Sequence, residues 1–143
     1  MVVLDTDHVS VLEWKTGSEY DCLNSRLEQL GMEEVATTIV SYDEQTRGWL
    51  AYIARARKLA QLIEAYRRLH RHLDVYCGIR VLDFDESAAV AFQDIRHLQS
   101  RIGAFDLRIA SIALSRGATL LTRNQIDFER IPDLKFEDWT KPA

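Results

Sequence analysis

The chain opens on Val2-Val3-Leu4-Asp5-Thr6-Asp7, an apolar run that ends in two carboxylates. A short, continuous apolar run suits a strand covered on both faces, which is the position of a central strand in a parallel sheet. In open α/β sheets, ligands bind beyond the carboxyl ends of such strands. Alternation along a strand would put Asp5 and Asp7 on one face and keep Val2 and Leu4 in a core. Two readings stand at this point. The acids either cap the helix that follows or bring negative charge to a site at the sheet edge.

The rest of the chain is consistent with one α/β domain spanning 1–143. Its 143 residues are 47% hydrophobic and 28% charged, enough apolar material for a real core. The formal net charge is -4, so contact with a nucleic acid cannot rest on overall basicity and needs a local patch. Cys22 and Cys77 are the only cysteines, without C-x-x-C or zinc spacing, and read as two buried thiols. There is no basic segment leading into an apolar one at the start, and no run of membrane-spanning length. A cytoplasmic protein with no membrane contact is expected.

Strands and helices alternate. His8–Trp14 carries apolar residues at near-helical spacing, and His8 reads as an ordinary packed or solvated histidine. Tyr20–Leu30 follows as a short amphipathic helix stopped by Gly31. Val35–Val40 is β-branched and reads as a second strand, and Ser41-x-x-Glu44 has the spacing of a capping box at the start of the next helix. The helical pattern then runs to Gly78, too long for a domain of this size, so a break near Ala54–Lys58 and two antiparallel helices are expected. Ile79–Phe84 is a third strand and Asp85 the cap of another helix. Ser100–Phe105 is a linker into the helix Asp106–Leu114, which Gly117 ends. Ala118–Thr122 is a fourth strand, and a short edge strand is expected around Lys135-Phe136. The sum is a three-layer α/β/α sandwich with a mainly parallel sheet of four to five short strands.

Between Arg47 and Arg71 stand Arg47, Arg55, Arg57, Lys58, Arg67, Arg68 and Arg71, seven of the 18 Lys and Arg residues, against a single acid, Glu64. At 3.6 residues per turn, Arg57, Gln61, Glu64, Arg68 and Arg71 share a stripe. Leu59, Leu62, Ile63, Tyr66, Leu69 and Leu73 lie opposite, so this helix is expected to bury an apolar face and show water a basic one.

Asp5, Glu44 and Asp106 each stand where a strand or loop meets a helix, hence on one rim if the strands are parallel. Two carboxylates about 4 Å apart repel by about 4 kcal/mol at an effective dielectric near 20, so a cation or raised pKa values must offset them. Oxygen ligands without Cys or His favour Mg²⁺ or Mn²⁺.

Four segments resemble, in order and spacing, the motifs of PIN-domain ribonucleases, specifically VapC-like toxins of type II toxin–antitoxin systems. They are Leu4-Asp5-Thr6-Asp7, Ser41-x-x-Glu44, Phe105-Asp106-Leu107-x-Ile109-Ala110 and Leu121-Thr122-Arg123-Asn124-x-x-Asp127-Phe128. The resemblance implies a metal-dependent endoribonuclease with Asp5, Glu44 and Asp106 as metal-binding acids. Asn124 stands where many members have Asp, and Asp127 is the nearest carboxylate in the same turn; one of the two would complete the site. Thr122 would be the hydroxyl-bearing residue beside the acids. Thr6, Thr122 and the stripe Arg57, Arg68 and Arg71 would contact RNA. A cognate antitoxin and a homodimer are implied as partners. Two alternatives stay open: a PIN-like scaffold that only binds a partner, and an aspartyl-nucleophile phosphotransferase. Asp5-Thr6-Asp7 also resembles the first motif of haloacid dehalogenase-type phosphatases, although no lysine stands between Lys58 and Lys135 to neutralise a phosphate.

Overall fold

A computed structural model describes residues 1–143. Five short strands, β1 (Val2–Leu4), β2 (Val35–Thr38), β3 (Arg80–Leu82), β4 (Thr119–Leu121) and β5 (Lys135–Glu137), form one sheet in the order β3-β2-β1-β4-β5. Every neighbouring pair is parallel. The chain-opening run is therefore the central strand. Its alternation feeds two cores: Val3 packs with Leu107, Ala110 and Leu120 on one face, while Val2 and Leu4 pack with Val9, Leu23 and Tyr76 on the other. Helices on both faces give the three-layer sandwich expected from the sequence.

The helices are α1 (Thr6–Trp14), α2 (Ser18–Leu27), α3 (Ile39–Arg55), α4 (Leu59–Cys77), α5 (Glu86–Ile95), α6 (Ala104–Arg116) and the single turn α7 (Gln125–Phe128). The long helical pattern breaks at residues 56–58, inside the expected window. Contacts 45 to 76, 46 to 72 and 49 to 68 run in opposite directions, so α3 and α4 are antiparallel. Asp85 caps α5 by accepting the Ala88 N–H, and Gly117 ends α6 with φ 61, a left-handed conformation that suits a residue without Cβ. No helix is long and apolar enough to cross a membrane.

Four local expectations are corrected. First, β1 ends at Leu4 and α1 begins at Thr6, two residues before His8, so Asp5 and Asp7 do not share a strand face. Asp5 is the N-cap, and Asp7 lies in the first helical turn. Second, β2 ends at Thr38, whose hydroxyl accepts the Ser41 N–H at 3.0 Å and caps α3. The cap overrides the β-branched pair Ile39-Val40. Ser41 is thus inside the helix, and Ser41-x-x-Glu44 is not a capping box. Third, Cys22 is half-buried and Cys77 exposed, both as free thiols.

The fourth correction concerns α4, which is turned relative to its apolar stripe. Ala65, His72 and Tyr76 are buried, while Leu59 is 79%, Ile63 54%, Tyr66 55% and Leu73 49% exposed. The inner surface of α3 explains this, since it offers polar and aromatic partners rather than aliphatic ones. Tyr42 stacks on His72 at 5.0 Å, Thr46 bonds His72 Nε2 at 2.8 Å, and Gln45 accepts the Tyr76 hydroxyl at 2.6 Å. Arg68, expected on a solvated stripe, is half-buried, with its guanidinium over Trp14 (4.9 Å), Tyr52 (5.5 Å) and Trp49 (5.8 Å) and its Nε on Glu64.

Candidate active site

The carboxyl ends of β1 and β4 and the amino ends of α1, α3, α6 and α7 meet on one rim. Asp5 stands at its centre, 4% exposed and directly after the buried strand. Its Oδ1 accepts the Thr6 N–H at 2.8 Å, and its Oδ2 accepts the Thr122 hydroxyl at 2.7 Å. One oxygen thus caps α1, and the other ties the end of β1 to the residue that follows β4. Burial pushes the Asp5 carboxyl up from 3.8 to about 7. The charges of Asp7 and Asp106 add to the rise, and the bonds from Thr122 and Thr6 oppose it.

Asp106 enters from the first turn of α6, where the helix N-terminus favours a negative charge. Burial and the charges of Glu44, Asp127 and Asp7 raise its carboxyl from 3.8 to about 6, against a hydrogen bond from Asn124. Asn124, at the start of α7, uses its amide nitrogen twice, bonding Asp106 Oδ2 and Asp127 Oδ2 at 3.1 Å each. The amide orientation is fixed by those two acceptors. Asn124 therefore links the two acids as a neutral donor, where an aspartate would have added a further charge.

Glu44 projects from the second turn of α3, and its Oε1 accepts the Thr6 hydroxyl at 2.6 Å. Freed of any capping role, it faces α1. The Tyr76 hydroxyl donates to Gln45 Oε1, Gln45 Nε2 donates to Ser10 Oγ at 2.8 Å, and Ser10 Oγ donates to the Thr6 carbonyl at 3.1 Å. This chain of bonds locks α4, α3 and α1 together one residue from Glu44.

Asp5, Glu44, Asp106, Asn124, Asp127, Thr6 and Thr122 are thus brought together, while the arginine stripe is not. Arg57 lies exposed in the α3–α4 turn, and Arg71 is exposed beside Trp14 at 5.5 Å. Trp14 is eight residues beyond Thr6 on α1, about 12 Å along the helix. Both threonine hydroxyls donate to acids of the site. Two residues beside the rim, Arg123 and Glu19, carried no expectation from the sequence, whereas Asp7 was read with Asp5 as charge at the sheet edge. Asp7 Oδ2 accepts the Arg123 backbone N–H at 3.0 Å, and the Arg123 guanidinium forms a fork with both Glu19 oxygens at 3.1 Å. Their signal was Arg123 itself, a cation between two site residues. A cleft of about 380 Å³ lined by Asp7, Ser10, Trp14, Glu19 and Arg123 adjoins the acids.

None of Asp5, Glu44, Asp106 or Asp127 forms an ion pair with Lys or Arg. The donor set is all oxygen apart from the Asn124 amide, and Asp5 and Asp106 are both shifted toward the neutral form. No group of three His, Cys, Asp or Glu side chains is placed to hold a metal ion. The oxygen donor set by its chemistry suits Mg²⁺, which keeps several waters and is commonly held by one or two carboxylates. It suits a softer or fully protein-ligated ion less well.

Comparison with known proteins identifies the family and the fold. Over 65 residues the chain is 42% identical to a protein of Salmonella typhimurium named tRNA(fMet)-specific endonuclease VapC, a match covering 43% of this chain and 49% of that protein. The chain thus matches about half the length of this curated relative. Its fold superposes on DNA-bound VapBC from Salmonella typhimurium with a TM-score of 0.76 at 26% identity, covering 96% of this chain and 97% of that one. It superposes on VapBC-1 from nontypeable Haemophilus influenzae with the same TM-score at 23% identity, covering 99% and 100%. The PIN domain family model matches residues 2–134, a span that takes in every acid of the rim, and the chain belongs to that family.

Proposed function

We propose that the chain is a divalent-metal-dependent endoribonuclease that hydrolyses RNA phosphodiester bonds and acts as the toxin of a type II toxin–antitoxin pair. The observation that carries this reading is the pair Asp5 and Asp106, two carboxylates raised to about 7 and about 6 on one rim with no basic side chain to offset them. A bound Mg²⁺ or Mn²⁺ would offset that charge, polarise the scissile phosphate and lower the pKa of an attacking water. Asp5 and Asp106 would hold it directly. Glu44 would share in binding or orient the water through the oxygen that Thr6 leaves free. Asn124 and Asp127 complete the shell, Asn124 by fixing Asp106 and Asp127 relative to one another.

Thr6 and Thr122 hold the acids in place while RNA lies across them. Arg57 and Arg71, both exposed, meet phosphates further along the strand, and Arg68 braces Trp14 beside Arg71. The name of the Salmonella relative makes a tRNA the first substrate to try. Its structural neighbours, solved as VapBC complexes, support a protein antitoxin as partner. The exposed apolar strip of α4 supports a covered surface there, as an antitoxin or a homodimer would supply. The deciding experiment is cleavage of tRNA by purified protein with Mg²⁺, with Mn²⁺ and with chelator. Metal-dependent cleavage, lost in Asp106→Asn, is expected. Absence of cleavage at every metal concentration, with the protein folded, overturns the reading.

A further inference from the structure

His8 is wholly buried, and both of its ring nitrogens are engaged. Nδ1 lies 2.7 Å from Asp7 Oδ1, and Nε2 lies 3.2 Å from the backbone nitrogen of Trp139, whose N–H must donate to it. A ring nitrogen that accepts carries no proton, so the proton of a neutral imidazole sits on Nδ1 and is donated to Asp7. The other candidate partner of Nε2, Asp138 Oδ1, is 3.7 Å away and already accepts the N–H and hydroxyl of Thr140.

The bonds form a closed circuit. Asp7 Oδ2 accepts the Arg123 N–H, Thr122 Oγ1 accepts the Asn124 N–H at 3.0 Å, and the Thr122 N–H returns to the Glu137 carbonyl at 2.9 Å. Two residues on, Trp139 closes the ring at His8, while its indole is held beneath the Arg26 guanidinium at 4.3 Å. Remove the imidazole, and Asp7 is tied to the 122–124 turn but to nothing behind it.

We infer that His8, as its neutral Nδ1–H tautomer, is a positioning residue that clamps Asp7 to the C-terminal segment. It thereby fixes the turn carrying Thr122 and Asn124 against the acids. The inference rests on the ribonuclease reading for its effect on rate but not for its geometry. His8 touches no substrate. Its role is to convert the docking of β5 and the tail into the set of the catalytic rim.

Two measurements test it. In protein labelled with ¹⁵N-histidine, long-range proton–nitrogen correlation near neutral pH is expected to show one ring protonated at Nδ1 and bare at Nε2, with that signal absent from His8→Gln. An Nε2–H tautomer or a doubly protonated ring overturns the inference whatever the protein cleaves. The second measurement is the rank of two variants. His8→Asn puts an amide N–H where Nδ1–H stood and should keep cleavage within about threefold of wild type. His8→Gln puts an acceptor near Trp139 but no donor at Asp7, and should lose about ten- to a hundredfold in kcat at unchanged KM, the rate equivalent of one charge-assisted hydrogen bond. Equal losses that merely track melting temperature would make His8 a packing residue. If wild-type protein cleaves no RNA, the ribonuclease reading fails and the tautomer result stands on its own.

Discussion

The Thr122 hydroxyl donates a 2.7 Å hydrogen bond to Asp5 Oδ2 from 117 positions further along the chain. It joins the ends of adjacent parallel strands β1 and β4, and it lowers a carboxyl that burial has raised. Thr122→Val keeps the volume and removes the donor. The variant should lose about 1–3 kcal/mol, the cost of a buried acceptor left without its partner. Cleavage should fall with it. Urea denaturation beside a cleavage assay measures both; unchanged stability would mean that the bond is not made in solution.

The raised acids give metal-free protein a stability that falls as pH rises. Between the ordinary carboxyl value of 3.8 and the native values of about 7 for Asp5 and about 6 for Asp106, the folded state binds more protons than the unfolded chain. Stability is therefore greatest below that window and is lost through it, by on the order of 4 kcal/mol from Asp5 alone. Denaturant melts from acid to neutral pH in chelator should show this slope, and Asp5→Asn should flatten it. A slope of opposite sign would exclude raised native values.

Metal should reverse that loss. A cation that binds only the folded protein stabilises it by about 2.7 kcal/mol at a hundredfold excess over its dissociation constant. Thermal melts across a Mg²⁺ or Mn²⁺ titration check this. Asp106→Asn should fold, lose the metal response and lose cleavage, whereas a melting temperature indifferent to metal in wild-type protein counts against a metal site.

Glu44→Gln separates charge from hydrogen bonding. Gln Oε1 still accepts the Thr6 hydroxyl, and no cap is at stake because Thr38 performs that role. Near-normal stability with cleavage reduced by orders of magnitude is expected. Full activity would remove Glu44 from the catalytic set.

The orientation of α4 is testable without any assay of function. Ala65→Leu overfills a fully buried position and should cost about 1–3 kcal/mol. Leu59→Ser, at a position 79% exposed, should stay within about 0.5 kcal/mol in the isolated chain. The reverse order would restore the apolar face to the core.

The element order, the central position of the first strand, the break between α3 and α4 and the short fifth strand were all legible in the sequence. Each follows from periodicity, punctuation by Gly and Asp, or an unbroken apolar run, which are local properties. Asp5, Glu44 and Asp106 were legible as rim residues because a parallel sheet puts every strand-to-helix junction on the same side. What the sequence could not decide was which face of α4 turns inward. Hydrophobic periodicity assumes an apolar receiving surface, whereas α3 and α1 offer Tyr42, Thr46, Gln45, Trp49 and Trp14, and these select Ala65, Arg68, His72 and Tyr76. The roles of Thr38, His8 and Asn124 were equally out of reach. Each is set by a hydrogen bond whose partner is chosen by tertiary approach: Asn124 meets Asp106 across 18 residues, and His8 meets Trp139 across 131. Local sequence specifies which side chains can bond, and only the packed fold brings their partners within reach.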